Sequence, residues 1–359
     1  MSISRREFVT GVGAAAVASG VGRVGQSVEK NSQPGDASAV RSPGGAKDKA
    51  AMNDYQAVIE RLKGPLVPIT VAFAENEELD LDSTQRWLHW IVDSGIPMVW
   101  LTYGQSRYAS LTDQEIFDLT RTVGQVTRGR CILIAATNFH WPVHQCRRYL
   151  KHAADCGADI VNIQCNWPCR PSDEAVFQYY RDVSDGSPLP LFAYTLSIPG
   201  VTAGLSNAML RRILDLPQFI GMKNDSGDFY EHRAYLETIR EHGSHFVPIT
   251  GGSMMSFLWG YDFGAQAFAS GYGMIDPATP LAFYRHLSGG RRDEALAIVR
   301  NREEPMLAAL SGIGGWNSLR VGLVCKGLFA SWRERFPSSA LTAEQAEQAK
   351  GYFMKNGLI

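Results

Sequence analysis

Short apolar runs alternate with amphipathic segments along most of the chain. The first run is Leu66-Val67-Pro68-Ile69-Thr70-Val71-Ala72-Phe73. After it, Asp82-Ser83-Thr84 leads into a segment whose apolar side is Trp87, Leu88, Trp90 and Ile91, the three-to-four spacing of a helix. Runs at 98–102, 131–136, 160–164, 189–194, 219–223, 246–250 and 265–270 repeat the pattern. Helical stretches such as His144 to Cys156, Ser206 to Leu214 and Phe229 to Glu241 fall between them, and Thr112 with Glu115 has capping-box spacing. The runs are apolar nearly throughout, as parallel strands covered on both faces must be. Eight strand–helix units over about 210 residues predict an α/β fold, a (β/α)8 barrel. A doubly wound sheet would carry a Gly-rich phosphate loop after its first strand, but here that run ends in Ala74-Glu75-Asn76. From Pro277 onward the pattern is helix after helix (281–287, 291–310, 318–328 and 342–354), a C-terminal extension.

The first residues break this pattern. Ser4-Arg5-Arg6-Glu7-Phe8-Val9 is a twin-arginine sequence, Gly11 to Gly22 is weakly hydrophobic, and Ala16-Val17-Ala18 is a small-residue cleavage motif. The expectation is export by the twin-arginine route to a periplasmic location. No stable membrane span is expected in the mature chain, since a span needs about 20 apolar residues. The divisions are a signal segment at 1–27, a flexible linker at 28–55, the barrel at 56–275 and the helical extension at 276–359.

Composition narrows the chemistry. Among 359 residues, 35 Lys plus Arg balance 36 Asp plus Glu, for a net charge of −1. Nucleic-acid binding wants a basic footprint and is not expected. Small-molecule chemistry is the better reading. The six cysteines read as thiols with one disulfide possible. Cys165 and Cys169, with His140 and His144 nearby in sequence, do not show the converging set that a metal site needs. No metal or cofactor is expected.

In a (β/α)8 barrel the active face lies at the C-terminal ends of the strands. The polar residues there include Thr102-Tyr103-Gly104, Tyr194, Lys223 and Thr250-Gly251. Lys223 follows the apolar Phe219-Ile220-Gly221-Met222. Desolvation disfavours an ammonium and frees an amine nucleophile that can condense with a ketone. Position alone equally allows a lysine pointing to solvent. Tyr194, one strand away, would shuttle protons, or would simply plug the barrel. Thr102 and the amides of the next two residues would form a small anion nest, or a plain structural loop. Asp225 and Asp228 read as caps or loop-orienting residues, and Trp87, Trp90 and Trp100 as packing.

Together these segments resemble the dihydrodipicolinate synthase and N-acetylneuraminate lyase family of class I aldolases. Ile220-Gly221-Met222-Lys223-Asn224-Asp225-Ser226-Gly227-Asp228 resembles the family's Schiff-base strand, and Ala193-Tyr194-Thr195-Leu196-Ser197-Ile198-Pro199-Gly200 its tyrosine segment. Thr102-Tyr103-Gly104-Gln105-Ser106 resembles its carboxylate-binding turn. The resemblance spans about residues 60–330. It implies a homo-oligomer, dimer or tetramer, in which Lys223 forms an imine with a 2-oxo acid such as pyruvate, Tyr194 transfers protons and Thr102 with the following amides grips the carboxylate.

The departures from that family bear on the substrate. The turn reads Leu101-Thr102-Tyr103-Gly104-Gln105, with a phenol and an amide where the family has a hydroxyl and a carboxylate. Cys165-Asn166-Trp167-Pro168-Cys169 stands where the synthases carry paired tyrosines, and Val201 where they carry an arginine. These losses, and export, argue against a true dihydrodipicolinate synthase. The expected activity is a lyase or aldolase on a 2-oxo acid, with Trp167 and Tyr103 lining the aldehyde side. The alternatives are a dehydratase or hydratase-aldolase using the same imine, and a non-catalytic ligand-binding barrel.

Overall fold

The computed structural model describes residues 55–359 apart from 165–170, 197–203, 227 and 243–245. Eight parallel strands close a barrel: β1 (Gly64–Pro68), β4 (Met98–Trp100), β5 (Ile132–Ala136), β6 (Ile160–Ile163), β7 (Leu191–Thr195), β8 (Phe219–Asn224), β9 (Val247–Thr250) and β10 (Ala267–Ala269). Each pairs with its sequence neighbours, and β1 closes the ring by pairing with both β4 and β10. Two short strands, β2 (Ala72–Phe73) and β3 (Leu79–Asp80), form an antiparallel pair outside the barrel. The apolar run 66–73 is therefore not one strand, as its pattern suggested. It leaves the barrel after Pro68 and turns into this hairpin.

Strand alternation divides the apolar residues into two clusters. Leu66, Met98, Trp100, Ile132, Ile134, Ile160, Phe192, Val247, Ile249 and Ala267 point inward and fill the barrel. Ile59 and Leu62, from the short helix before β1 and the residues after it, join the same cluster. Val67, Val99, Leu133, Val161, Ile163, Ala193, Met222 and Phe268 point outward beneath the helices. The register slips between β7 and β8 at Leu191/Phe192. Gly221 makes that slip possible, because a Cβ there would lie 2.2 Å from the Phe192 ring. The register then pairs Tyr194 with Lys223.

Helices cover the outside. Thr112 caps Asp113–Thr127 with the expected capping box to Glu115. The helix Ala278–Ser288 follows β10, and the chain continues as Arg292–Ile298, a π-helical turn Val299–Glu303, and the helices Glu304–Ser311, Leu319–Cys325 and Ala343–Lys355. Among the described residues, no helix is long and apolar enough to cross a membrane. Cys131, Cys146, Cys156 and Cys325 are free thiols.

Candidate active site

The C-terminal ends of the strands surround a cavity of about 300 Å³. Seven of the eight strands, or the residues that follow them, contribute to its wall. These are Pro68, Trp100 with Thr102, Gln164, Tyr194 with Leu196, Lys223 with Asp225, Gly252, and Ala269 with Gly271. Trp316 of the C-terminal extension completes the rim.

Lys223 lies on the inner face near the end of β8, and only 8% of its side chain is exposed. Its Nζ sits 4.6 Å from the centre of the Trp100 ring and 5.1 Å from that of Tyr194. Burial lowers the affinity of the amine for its proton, and Asp225 opposes this with its charge and a hydrogen bond. The ammonium is ion-paired to Oδ2 of Asp225. The Tyr194 hydroxyl donates to the same oxygen at 2.7 Å. Burial first, and then the Asp225 charge, hold the Tyr194 phenol in its protonated form, well above its usual range.

Asp225 follows the last strand residue and continues the alternation of β8, so it shares a face with Lys223 two residues earlier. Its amide donates to the Thr195 carbonyl at 3.0 Å. The neighbouring Gly251 leaves room for its carboxylate, since a Cβ there would lie 1.5 Å from Asp225 Oδ1. Asp228, by contrast, does cap a helix, accepting from the Glu231 amide at 2.8 Å.

The turn after β4 is built from short-range bonds. The Thr102 hydroxyl accepts from the Gln105 amide at 2.9 Å, and the Thr102 amide donates to Ser106 Oγ at 3.0 Å. Ser106 in turn donates to the Ile69 carbonyl at 2.7 Å, tying the turn to the chain leaving β1. The amides of Tyr103 and Gly104 donate to no other described residue. The Tyr103 ring stands edge-on to Phe139 at 4.5 Å. Arg107, in the left-handed region with φ of 57°, anchors the turn from behind. Its guanidinium donates to the Gly104 carbonyl at 2.8 Å and pairs with the buried Glu334 at 2.6 Å.

The structure thus brings Lys223, Tyr194, Thr102, Tyr103 and Gly104 to one cavity. It does not bring Thr250 and Gly251 to the wall. Because Ile249 points inward, Thr250 points outward, and its hydroxyl meets His232 Nε2 at 3.3 Å. Asn224 Oδ1 accepts from the Ser226 amide, so its Nδ2 donates to His232 Nδ1 at 3.1 Å. This leaves the proton of a neutral imidazole on Nε2, facing Thr250. Gly251 contributes space for Asp225 and no side chain of its own. Trp167 lies outside the described residues, as do Cys165, Cys169 and Val201.

Several wall residues were not read from the sequence. Trp100, taken there as packing, presents its face to the lysine. Gln164 and Trp316 were missed altogether. Asp225 carried a signal in its i, i+2 spacing from Lys223.

A buried lysine paired in register with a tyrosine at the open end of a (β/α)8 barrel can be set beside known proteins. The chain is 28% identical over 254 residues to the 4-hydroxy-tetrahydrodipicolinate synthase of Anaplasma marginale, covering 70% of this chain and 80% of that one. It is 30% identical over 179 residues to a probable 5-dehydro-4-deoxyglucarate dehydratase of Streptomyces avermitilis, covering 48% and 52%. The fold matches the crystal structure of YagE, a dihydrodipicolinic acid synthase family protein of E. coli K12 solved with pyruvate. The TM-score is 0.73 at 18% identity, over 83% of this chain and 99% of that one. The sequence profile of the dihydrodipicolinate synthetase family matches residues 61–355, the whole barrel and nearly all of the helical extension, and the chain belongs to that family.

Proposed function

We propose that the protein is a class I lyase that joins Lys223 to a 2-oxo acid through a Schiff base and makes or breaks a carbon–carbon bond next to the former carbonyl. The observation that carries this is the Lys223 amine, buried at the open end of the barrel and facing a cavity large enough for a small acid. Condensation of the amine with the C2 carbonyl gives an iminium. Its positive nitrogen is an electron sink that stabilises a carbanion at C3 without a metal ion. The amides of Tyr103 and Gly104, which donate to no other described residue, would receive the carboxylate with the Thr102 hydroxyl beside them. Tyr194 would pass protons to and from the substrate oxygen.

The same iminium can expel a β-hydroxyl instead. The similarity to a probable sugar-acid dehydratase favours keeping that outcome as the second reading. Synthesis of dihydrodipicolinate itself is not proposed, because Gln105 stands where the family's turn carries a carboxylate. Export by the twin-arginine route and assembly into a dimer or tetramer belong to the same proposal. Cell fractionation of an Arg5→Lys/Arg6→Lys variant tests the first, and light scattering on the purified chain tests the second.

Intact-mass measurement after borohydride reduction with a panel of 2-oxo acids tests the chemistry. The expected result is one reduced adduct on the native protein and none on Lys223→Ala. An equal adduct on the variant would remove Lys223 from its role, and no adduct with any acid would favour a binding protein. Product analysis then separates carbon–carbon cleavage from dehydration.

A further inference from the structure

Schiff-base formation is a problem of moving protons. An ammonium carries three; the iminium keeps one, and two must leave with the expelled water. Lys223 cannot attack until a base takes the first. Tyr194 is poorly placed to be that base, because its hydroxyl proton is engaged by Asp225 and its phenol is held protonated by burial. Asp225 Oδ2 is the atom that touches both groups. It is the counter-ion of Nζ and accepts from the Tyr194 hydroxyl at 2.7 Å. Its position is fixed by the Thr195 carbonyl behind its own amide and by the space that Gly251 leaves.

Resting on the Schiff-base reading, we propose that Asp225 is a catalytic residue that carries both protons from Nζ to the substrate oxygen, with Tyr194 as the conduit. The carboxylate takes one proton from the ammonium, freeing the amine. The nitrogen lone pair forms the C–N bond, and the carbonyl π pair moves to oxygen. That oxygen takes a proton from the Tyr194 hydroxyl, which is refilled from Asp225. Asp225 then takes a second proton from nitrogen and returns it by the same path. The C–O bond breaks, water leaves and the nitrogen lone pair closes the C=N bond. The cycle ends with a carboxylate beside the iminium cation, so the charge pairing of the resting site is restored.

The test is the rate of borohydride-trapped adduct formation with pyruvate, followed by intact mass between about pH 5 and pH 9. It compares native protein with Asp225→Asn, Asp225→Ala and Asp225→Glu, after circular dichroism has established that each is folded. Asp225→Asn should form the adduct roughly 100-fold more slowly. Its rate should climb with pH across the range, because the amine must now lose its proton to solvent. Asp225→Glu should restore most of the rate, and added formate should accelerate Asp225→Ala. An adduct forming on Asp225→Asn at the native rate and with the native pH profile overturns the proposal alone. A slow Asp225→Asn whose pH profile parallels the native one, with no rescue by glutamate or formate, also overturns it and makes Asp225 structural. No adduct on the native protein overturns the Schiff-base reading, and this proposal with it.

Discussion

Gly251→Ala displaces the proposed proton carrier while leaving the chemical identity of every reacting group unchanged. A Cβ at residue 251 would lie 1.5 Å from Asp225 Oδ1, 2.6 Å from its Cγ and 2.9 Å from the Asn224 carbonyl oxygen. Contacts under 3.0 Å are essentially never seen for real Cβ atoms, so the carboxylate has to move by about 1.5 Å. The Tyr194–Asp225 bond is 2.7 Å, and the wedge enters from the β9 side, opposite the strand that carries Tyr194, so a shift of that size destroys the alignment of this bond. The methyl group thus acts as a wedge between β9 and the residue that follows β8. Overpacking at such a site costs about 1–3 kcal/mol of stability, a drop of several degrees in Tm for a domain of this size. Proton transfer should fall roughly 100-fold, as when the carboxylate is removed chemically.

The assay is the pyruvate trapping rate beside a thermal melt, repeated in the Asp225→Asn background. If the alanine acts through Asp225, the double variant should be little slower than Asp225→Asn alone, because two changes that remove one interaction are not additive. A Gly251→Ala protein that traps pyruvate at the native rate, with its fold intact, would refute the reasoning. So would a double variant slower by the product of the two single effects.

Other consequences follow from groups outside the cavity. Burial raises the Glu303 carboxyl to about 7, although it accepts from the amides of Met254 and Met255, and Glu304 beside it adds to the rise. The folded state therefore holds this proton more tightly than the unfolded chain does. That contribution is complete below about pH 4.5 and is lost as pH rises through 7. Glu303→Gln should gain stability relative to the native protein by about 2–3 kcal/mol between pH 5 and pH 8 in urea titrations, and an equal difference at both pH values would contradict this. Glu334→Ala leaves the buried Arg320 guanidinium without the carboxylate it meets at 2.5 Å, and should cost roughly 3–5 kcal/mol in the same titration. Arg107→Ala keeps that pair but frees the turn at residues 102–107, so KM for the 2-oxo acid should rise well before kcat falls; a fall in kcat alone would contradict it.

How much of this was legible depended on whether the cause was local. Eight apolar runs gave eight strands because parallel strands buried on both faces leave that signature. The same signature misled at residues 69–73. A buried extended segment leaving the barrel is as apolar as a strand inside it, and pattern alone does not show where hydrogen-bonding partners end. Lys223 stood out because a cation closes an apolar strand. Asp225 was passed over because it lies one residue beyond the strand's end, although alternation still carries it to the same face. Alternation would also have placed Thr250 correctly: with Val247 and Ile249 facing inward, residue 250 must face the helices. The ion pair from Arg107 to Glu334 spans 227 residues, and no spacing rule reaches that far.

That long-range pair gives the C-terminal extension a purpose. A barrel fixes the strands, but the loops at its open end have little of their own to hold them in one shape. In this chain the turn after β4 is held from outside. Arg107 bridges the Gly104 carbonyl to Glu334, and Asn317 accepts from the same guanidinium at 2.5 Å. Glu334 is itself locked between Arg107 and Arg320, with 1% of its side chain exposed. A charge cluster this buried gives little net stability, since desolvation offsets most of the attraction. What it supplies is direction, because two guanidinium planes and one carboxylate fit together in few ways. Residues 317 to 334 thereby hold the turn that carries the Tyr103 and Gly104 amides, and Trp316 beside them closes the cavity rim. The extension belongs to the site as much as the strands do.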